Sequence, residues 1–114
     1  MLTSGDIVSV DLGMPIGREA GYLHPAVIVT AQRVLDASPA VVQVVPLTST
    51  LRGFGSEVDI AADQHNGLER TSAAQCQHVR AVATARLGAV RGNVGTAALG
   101  QVREILGLLL DVPG

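Results

Sequence analysis

The chain has 114 residues, 47% of them hydrophobic and 2% aromatic, with a formal net charge of −2 at pH 7. That length suits a single domain over residues 1–114, and the charge excludes a strongly basic nucleic-acid binder working through its overall field. No run approaches the roughly 18 consecutive apolar residues of a membrane helix, and the lone Cys76 excludes an internal disulfide or a cysteine-based zinc site.

Tyr22 and Phe54 are the only aromatic residues, so the core must be built from Val, Leu, Ile and Ala. The opening Met1-Leu2-Thr3-Ser4-Gly5-Asp6 carries no basic and then apolar leader, and a cytoplasmic protein outside the membrane is expected. All eight basic residues are arginine. An anion site would therefore be a local cluster of guanidinium forks rather than a general positive field.

In chain order, Asp6 to Leu12 alternates at period two and predicts a half-buried strand. Gly13 to Tyr22 holds three Gly and one Pro and reads as a loop. Ala26-Val27-Ile28-Val29 and the run from Ala40 to Leu47 are apolar and β-branched, which predicts central strands. Ser49 to Gly55 is turn-rich. Ser56 to Ile60 alternates again with Val58 and Ile60 on one face, and Asn66-Gly67 supplies a turn. Ser72 to Val82 reads as a strand with a weak Ala-Gln-Cys-Gln centre. From Thr96 onward Leu99, Val102, Leu106 and Leu109 recur at helical spacing, with Ile105 and Leu108 widening the apolar face. Thr96 or Gly95 would cap this helix, and Pro113 and Gly114 would stop it. Gly100 and Gly107 each cost about 1 kcal/mol relative to Ala, so packing must hold it. The expected architecture is mainly β with a C-terminal helix: a small curled sheet or barrel of five to seven antiparallel strands.

Several segments, in order along nearly the whole chain, resemble the MazF/PemK family of toxins. Gly5 to Leu12 resembles its Gly-acid-Ile/Val opening ending in Asp-Leu, and Gly17 to Val29 its Gly-Ser-Glu loop, Arg-Pro step and Val/Ile strand. Val44 to Ser49 resembles a third strand ending in Thr, while Ser72 and Gln77-His78-Val79-Arg80 resemble a later segment with Ser and a Gln-Ile-Arg end. The resemblance implies a small SH3-like barrel of the CcdB/PemK type. It also implies a homodimeric, metal-independent endoribonuclease of a type II toxin–antitoxin module. Such an enzyme cuts single-stranded RNA to 2′,3′-cyclic phosphate and 5′-OH ends, and its cognate antitoxin is a partly disordered chain lying across the RNA-binding surface. No cofactor is implied.

That cleavage needs an acceptor for the 2′-OH proton, stabilisation of the phosphoryl oxygens and a donor for the 5′-oxygen. The resemblance points to Thr48 as the family's catalytic Thr and to Glu19 as its loop glutamate. The family's Arg-Pro arginine is His24 here. An imidazole changes charge near neutral pH and can move a proton, but it lacks the permanent bidentate cation of guanidinium. The reading is that His24 transfers the proton, with Arg18 or Arg52 supplying phosphate charge. Ser49, Arg52 and Gln77 are candidates for RNA contact, Tyr22 for stacking a base, and Arg80 for RNA contact or for bracing the loop. Cys76 and His78 would share a strand face, but two ligands do not make a metal site. Two other readings stay open: a degenerate family member that only binds antitoxin or RNA, and a CcdB-like gyrase-binding toxin. The latter fits poorly with a chain that has no Trp and closes on Asp111-Val112-Pro113-Gly114.

Overall fold

The computed structural model describes residues 1–12 and 23–113. Its elements are β1 (Asp6–Asp11), β2 (Leu23–Ile28), a single turn of helix α1 (Gln32–Leu35), β3 (Val41–Thr48), β4 (Glu57–Ile60), β5 (Ser72–Gln75), β6 (Arg80–Ala83), β7 (Leu87–Asn93) and α2 (Gly95–Leu109). Every strand pairing is antiparallel, in the order β4-β5-β3-β2-β1-β7, with β6 also on β3. The expected mainly β architecture with a C-terminal helix is the one observed.

The long strand β3 organises the molecule by changing partners along its length. Val41 to Val44 pair with β6, whereas Leu47 and Thr48 pair with β5. The chain between those partners cannot stay extended, so Ser72 to Val82 is two strands separated by a 3-10 turn at Cys76–His78. The weak strand propensity of Ala-Gln-Cys-Gln marks that break. Cys76 turns into the core and His78 outward, so the two do not share a strand face.

Central strands are buried on both sides, which is why they read as nearly continuous apolar runs. Ile7, Val27, Val45 and Leu47 pack with Val58, Ile60, Ala74, Cys76 and the helix residue Val102. Val8, Val10, Ala26, Ile28, Val42 and Val44 form a second cluster with Leu35 and Val82. β1 is therefore not half-buried as its alternation predicts, because Ile7 feeds one core while Val8 and Val10 feed the other. Burying each such side chain contributes roughly 1.5–3 kcal/mol. That aliphatic surface replaces the aromatic residues the chain lacks.

α2 lays Val102 into the first core, with Ile105 and Leu106 half-buried against it, and also buries Leu99. Its start is secured by Asn93, whose Oδ1 accepts the Gly95 N–H at 2.8 Å, rather than by a Thr96 side chain. It stops before Pro113. Asp111 takes a left-handed φ of 56°, the Val112 N–H reaches Gly107 O at 2.8 Å and the Asp111 N–H reaches Leu108 O at 3.3 Å, a Schellman close.

Two elements escaped the sequence reading. α1 is only four residues long, and β7 carries two glycines without alternation. β7 exists because its backbone pairs with β1 through two register shifts and holds the connection after β4 close. A Cβ on Gly92 would collide with the His65 carbonyl and the Asn66 backbone. At the other end Gly5, at φ +90°, turns the chain so that Asp6 is buried, where it accepts the Thr3 N–H at 2.8 Å and the Asn93 Nδ2–H at 3.1 Å.

Candidate active site

β2 begins at an X-Pro step, His24-Pro25, and β3 ends with Pro46-Leu47-Thr48. The Val29 N–H bond to Gln43 O fixes which residues of β2 face β3, and Pro25 is one of them. With no N–H to give, it leaves the β2–β3 ladder a donor short opposite Leu47, whereas the Pro46 nitrogen faces away from β2. The register Ala26↔Pro46, Val27↔Val45 and Ile28↔Val44, continued two residues outward, sets His24 opposite Thr48. There the imidazole replaces the missing donor: His24 Nε2 lies 2.8 Å from Leu47 O, the carbonyl just before Thr48. A carbonyl only accepts, so Nε2 carries the hydrogen and the basic nitrogen of the neutral ring is Nδ1. On its other side β2 is fixed to β1 through Val10↔His24 and Ser9↔Pro25. His24 is thus a half-buried group on a strand held from both sides.

Thr48 is half-buried at the strand end, and its Oγ1 accepts the Thr50 N–H at 3.1 Å. The hydroxyl closes the turn, as a strand-end Thr does. Its own O–H is directed by that bond and remains the group with which it can donate to a phosphoryl oxygen. Ser49 follows, exposed.

A second group forms further along the same connection. Glu57, the first residue of β4, sits opposite Gln75 in register. Its side chain is 1% exposed. Its Oε2 accepts hydrogen bonds from Arg52 Nη2 at 2.5 Å, Gln77 Nε2 at 2.7 Å and Gln75 Nε2 at 3.4 Å. Arg52 also lies over the Phe54 ring, 4.7 Å from its centre. Burial pushes the Glu57 carboxyl upward, but the hydrogen bonds from Gln77, Arg52 and Gln75 and the Arg52 charge outweigh it and hold the group below the usual 4.5. Arg52 and Gln77, separate candidates in the sequence, share one carboxylate oxygen. Glu57 itself was missed: it read only as the polar face of an alternating strand, and nothing in its spacing to Gln75 and Gln77 marks three segments that meet.

Arg80 stands apart from this pair. It opens β6 and reaches the carbonyl of Leu12 at 3.5 Å, which fits a brace on the end of β1. Glu19, Arg18 and Tyr22 lie outside the described residues, as does the loop that Gly13 to Tyr22 was read to form. Among the described residues no three His, Cys, Asp or Glu side chains gather as a metal would need. Cys76 is a buried core thiol pushed up to about 11 by burial.

An antiparallel sheet closed by a C-terminal helix is the fold of the MazF type of toxin. A Mycobacterium tuberculosis toxin, MazF-mt6, superposes with a TM-score of 0.76 at 25% identity, over 96% of this chain and 99% of that one. An endoribonuclease solved in complex with its cognate antitoxin, from a mycobacterial species, gives a TM-score of 0.75 at 21% identity over 100% and 99% of the two chains, a likeness of fold alone. In sequence, the Endoribonuclease MazF9 of Mycobacterium tuberculosis is 35% identical over 98% of both chains. Residues 3–110 match the model of the PemK-like, MazF-like toxins of type II toxin–antitoxin systems, and the chain belongs to that family.

Proposed function

We propose that this MazF-type toxin endoribonuclease cuts single-stranded RNA without a metal ion, with His24 moving the proton and Thr48 holding the phosphate. The supporting observation is the His24 Nε2 bond to Leu47 O, which sets the imidazole beside the strand end that carries Thr48. In the reaction the 2′-oxygen attacks phosphorus and yields its proton to the imidazole. The bond to the 5′-oxygen breaks, and that oxygen takes a proton from solvent to become a 5′-hydroxyl, while the imidazolium returns its proton to solvent and the ring is restored. A 2′,3′-cyclic phosphate remains, and no water is consumed. The Thr48 hydroxyl donates to a phosphoryl oxygen as charge develops there. Arg52 and Arg18 supply cationic donors, Ser49 and Gln77 contact the RNA, Tyr22 stacks a base, Glu19 holds the imidazole or Arg18, and Arg80 braces the loop that carries them.

The same reading gives the protein a cytoplasmic site of action, a homodimeric state and a cognate antitoxin that covers the RNA surface. Membership of the PemK-like, MazF-like toxins of type II toxin–antitoxin systems supports the existence of an antitoxin partner.

The test incubates the purified protein with mixed single-stranded RNA in EDTA, beside His24→Ala and Thr48→Ala. The expected result is cleavage by the wild type alone, leaving cyclic-phosphate ends. Restoration of cleavage only by added divalent metal would overturn the metal-free chemistry. Undiminished cleavage by either variant would remove that residue from its role.

A further inference from the structure

We propose that Glu57 is a positioning residue that holds Arg52 and Gln77 as a single RNA-contact unit, an inference that rests on the reading of those two residues as RNA contacts. Three separate stretches of chain supply the donors. Arg52 comes from the connection after β3, Gln75 from the end of β5 and Gln77 from the 3-10 turn, and all three converge on Glu57 Oε2. The connection 49–56 has no strand or helix of its own to fix Arg52. What restrains that side chain is the ion pair on one edge of its guanidinium and the Phe54 ring against its face.

A guanidinium carries five N–H donors in a fixed fork, so one edge can bind Glu57 while the others serve phosphate. The Arg52 side chain is 38% exposed while that of Glu57 is 1% exposed. The carboxylate is thus inside and the arginine faces outward. The two carboxylate oxygens of Glu57 are also used unequally. Oε1 is buried without a hydrogen-bond partner among the described residues, while Oε2 takes every donor. A carboxylate placed only to satisfy itself would share the donors between both oxygens; one that concentrates them draws its donors to one point. Exposed ion pairs are worth little alone. This pair is anchored on its buried side, so its value is a pre-formed fork whose ordering RNA does not have to pay.

The physical consequence is a coupling, and a double-mutant cycle reads it. Steady-state cleavage of a labelled single-stranded RNA, bearing a site mapped as cut by the wild type, is measured for Glu57→Gln, Arg52→Ala, Gln77→Ala and the doubles containing Glu57→Gln. Binding is read in parallel by anisotropy with the same oligonucleotide made 2′-deoxy at the scissile position. Glu57→Gln keeps side-chain volume, and a thermal melt verifies that it folds. KM and the anisotropy Kd are expected to rise on the order of tenfold, with kcat within about twofold. Glu57→Gln should then cost less in the Arg52→Ala background, and less in the Gln77→Ala background, than it does in the wild type. Full additivity in both doubles, or a fall in kcat at unchanged KM, would make Glu57 merely structural. Tighter RNA binding by Glu57→Gln would show that the carboxylate masks Arg52 rather than places it, and would equally overturn the proposal. A wild type that neither cuts nor binds a random-sequence RNA pool would remove the reading beneath it. Additivity in an active wild type removes the positioning role alone.

Discussion

At the start of β2, His24 is read as standing where the resembling family carries an arginine, and an imidazole changes what such a position can do. An arginine stays charged through the whole working range of pH, while an imidazole changes charge within it. Serving as proton acceptor, His24 must be neutral when RNA binds, so kcat/KM should rise with pH as the imidazole gives up its proton. His24→Arg should retain some cleavage through charge stabilisation while flattening that rise, and a pH–rate profile of both proteins measures it. A wild-type profile with no inflection would assign His24 to binding rather than proton transfer. Glu57 adds nothing to this rise, since its carboxyl is held below 4.5. Its contribution to stability is present above 4.5 and is lost as pH falls through the lowered value.

Among the elements, α2 shows how packing overrides propensity. Its buried stripe is Leu99 and Val102, yet Gly100 faces solvent, and an added Cβ there meets nothing within 4 Å. Gly100→Ala should therefore stabilise the fold by about 0.5–1 kcal/mol, seen as a raised urea midpoint at unchanged slope. The same change at Gly92 must go the other way. There a Cβ strikes backbone on the connection after β4, and Asn66, buried beside it, is held by the Asp63 and Leu68 N–H groups and by Ala61 O. Backbone cannot yield as a side-chain tip does, so Gly92→Ala should cost more than about 2 kcal/mol in the same measurement. An equal response at the two glycines would contradict this account of β7.

For the whole molecule, two aliphatic clusters on either side of β1, β2 and β3 carry the stability, and Cys76 reports on one of them. Its thiol lies within the first cluster, and burial raises it from 9.0 to about 11. The native state therefore holds the proton longer than the unfolded chain does. Stability is untouched below about 9 and declines as pH rises from there toward 11. Cys76→Ala should lose that alkaline decline while costing some packing at neutral pH, and denaturant melts at pH 7 and pH 10 separate the two effects. Iodoacetamide should leave the folded wild type unmodified at pH 8 and label it once unfolded.

The amino-acid order by itself determined the parts of this protein whose signals are local. The β-branched runs become β2 and β3 because such side chains suit buried pleated surface. Leu99 to Leu109 becomes a helix because its apolar residues recur along one face, and His24, Thr48, Arg52 and Gln77 stand out within an ordered set of family-like segments. What the tertiary structure decided are the meetings of distant segments. A partner change along β3 broke one expected strand into two, and backbone pairing with β1 made a strand of the glycine-bearing β7. Pro25 removed one ladder donor opposite Leu47, and the His24 ring then met that carbonyl. Glu57 became the meeting point of Arg52, Gln75 and Gln77 only because β4 and β5 lie in one particular register. Local preference acts over a few residues, whereas these contacts depend on which strands lie side by side, and no short stretch of the chain contains that information.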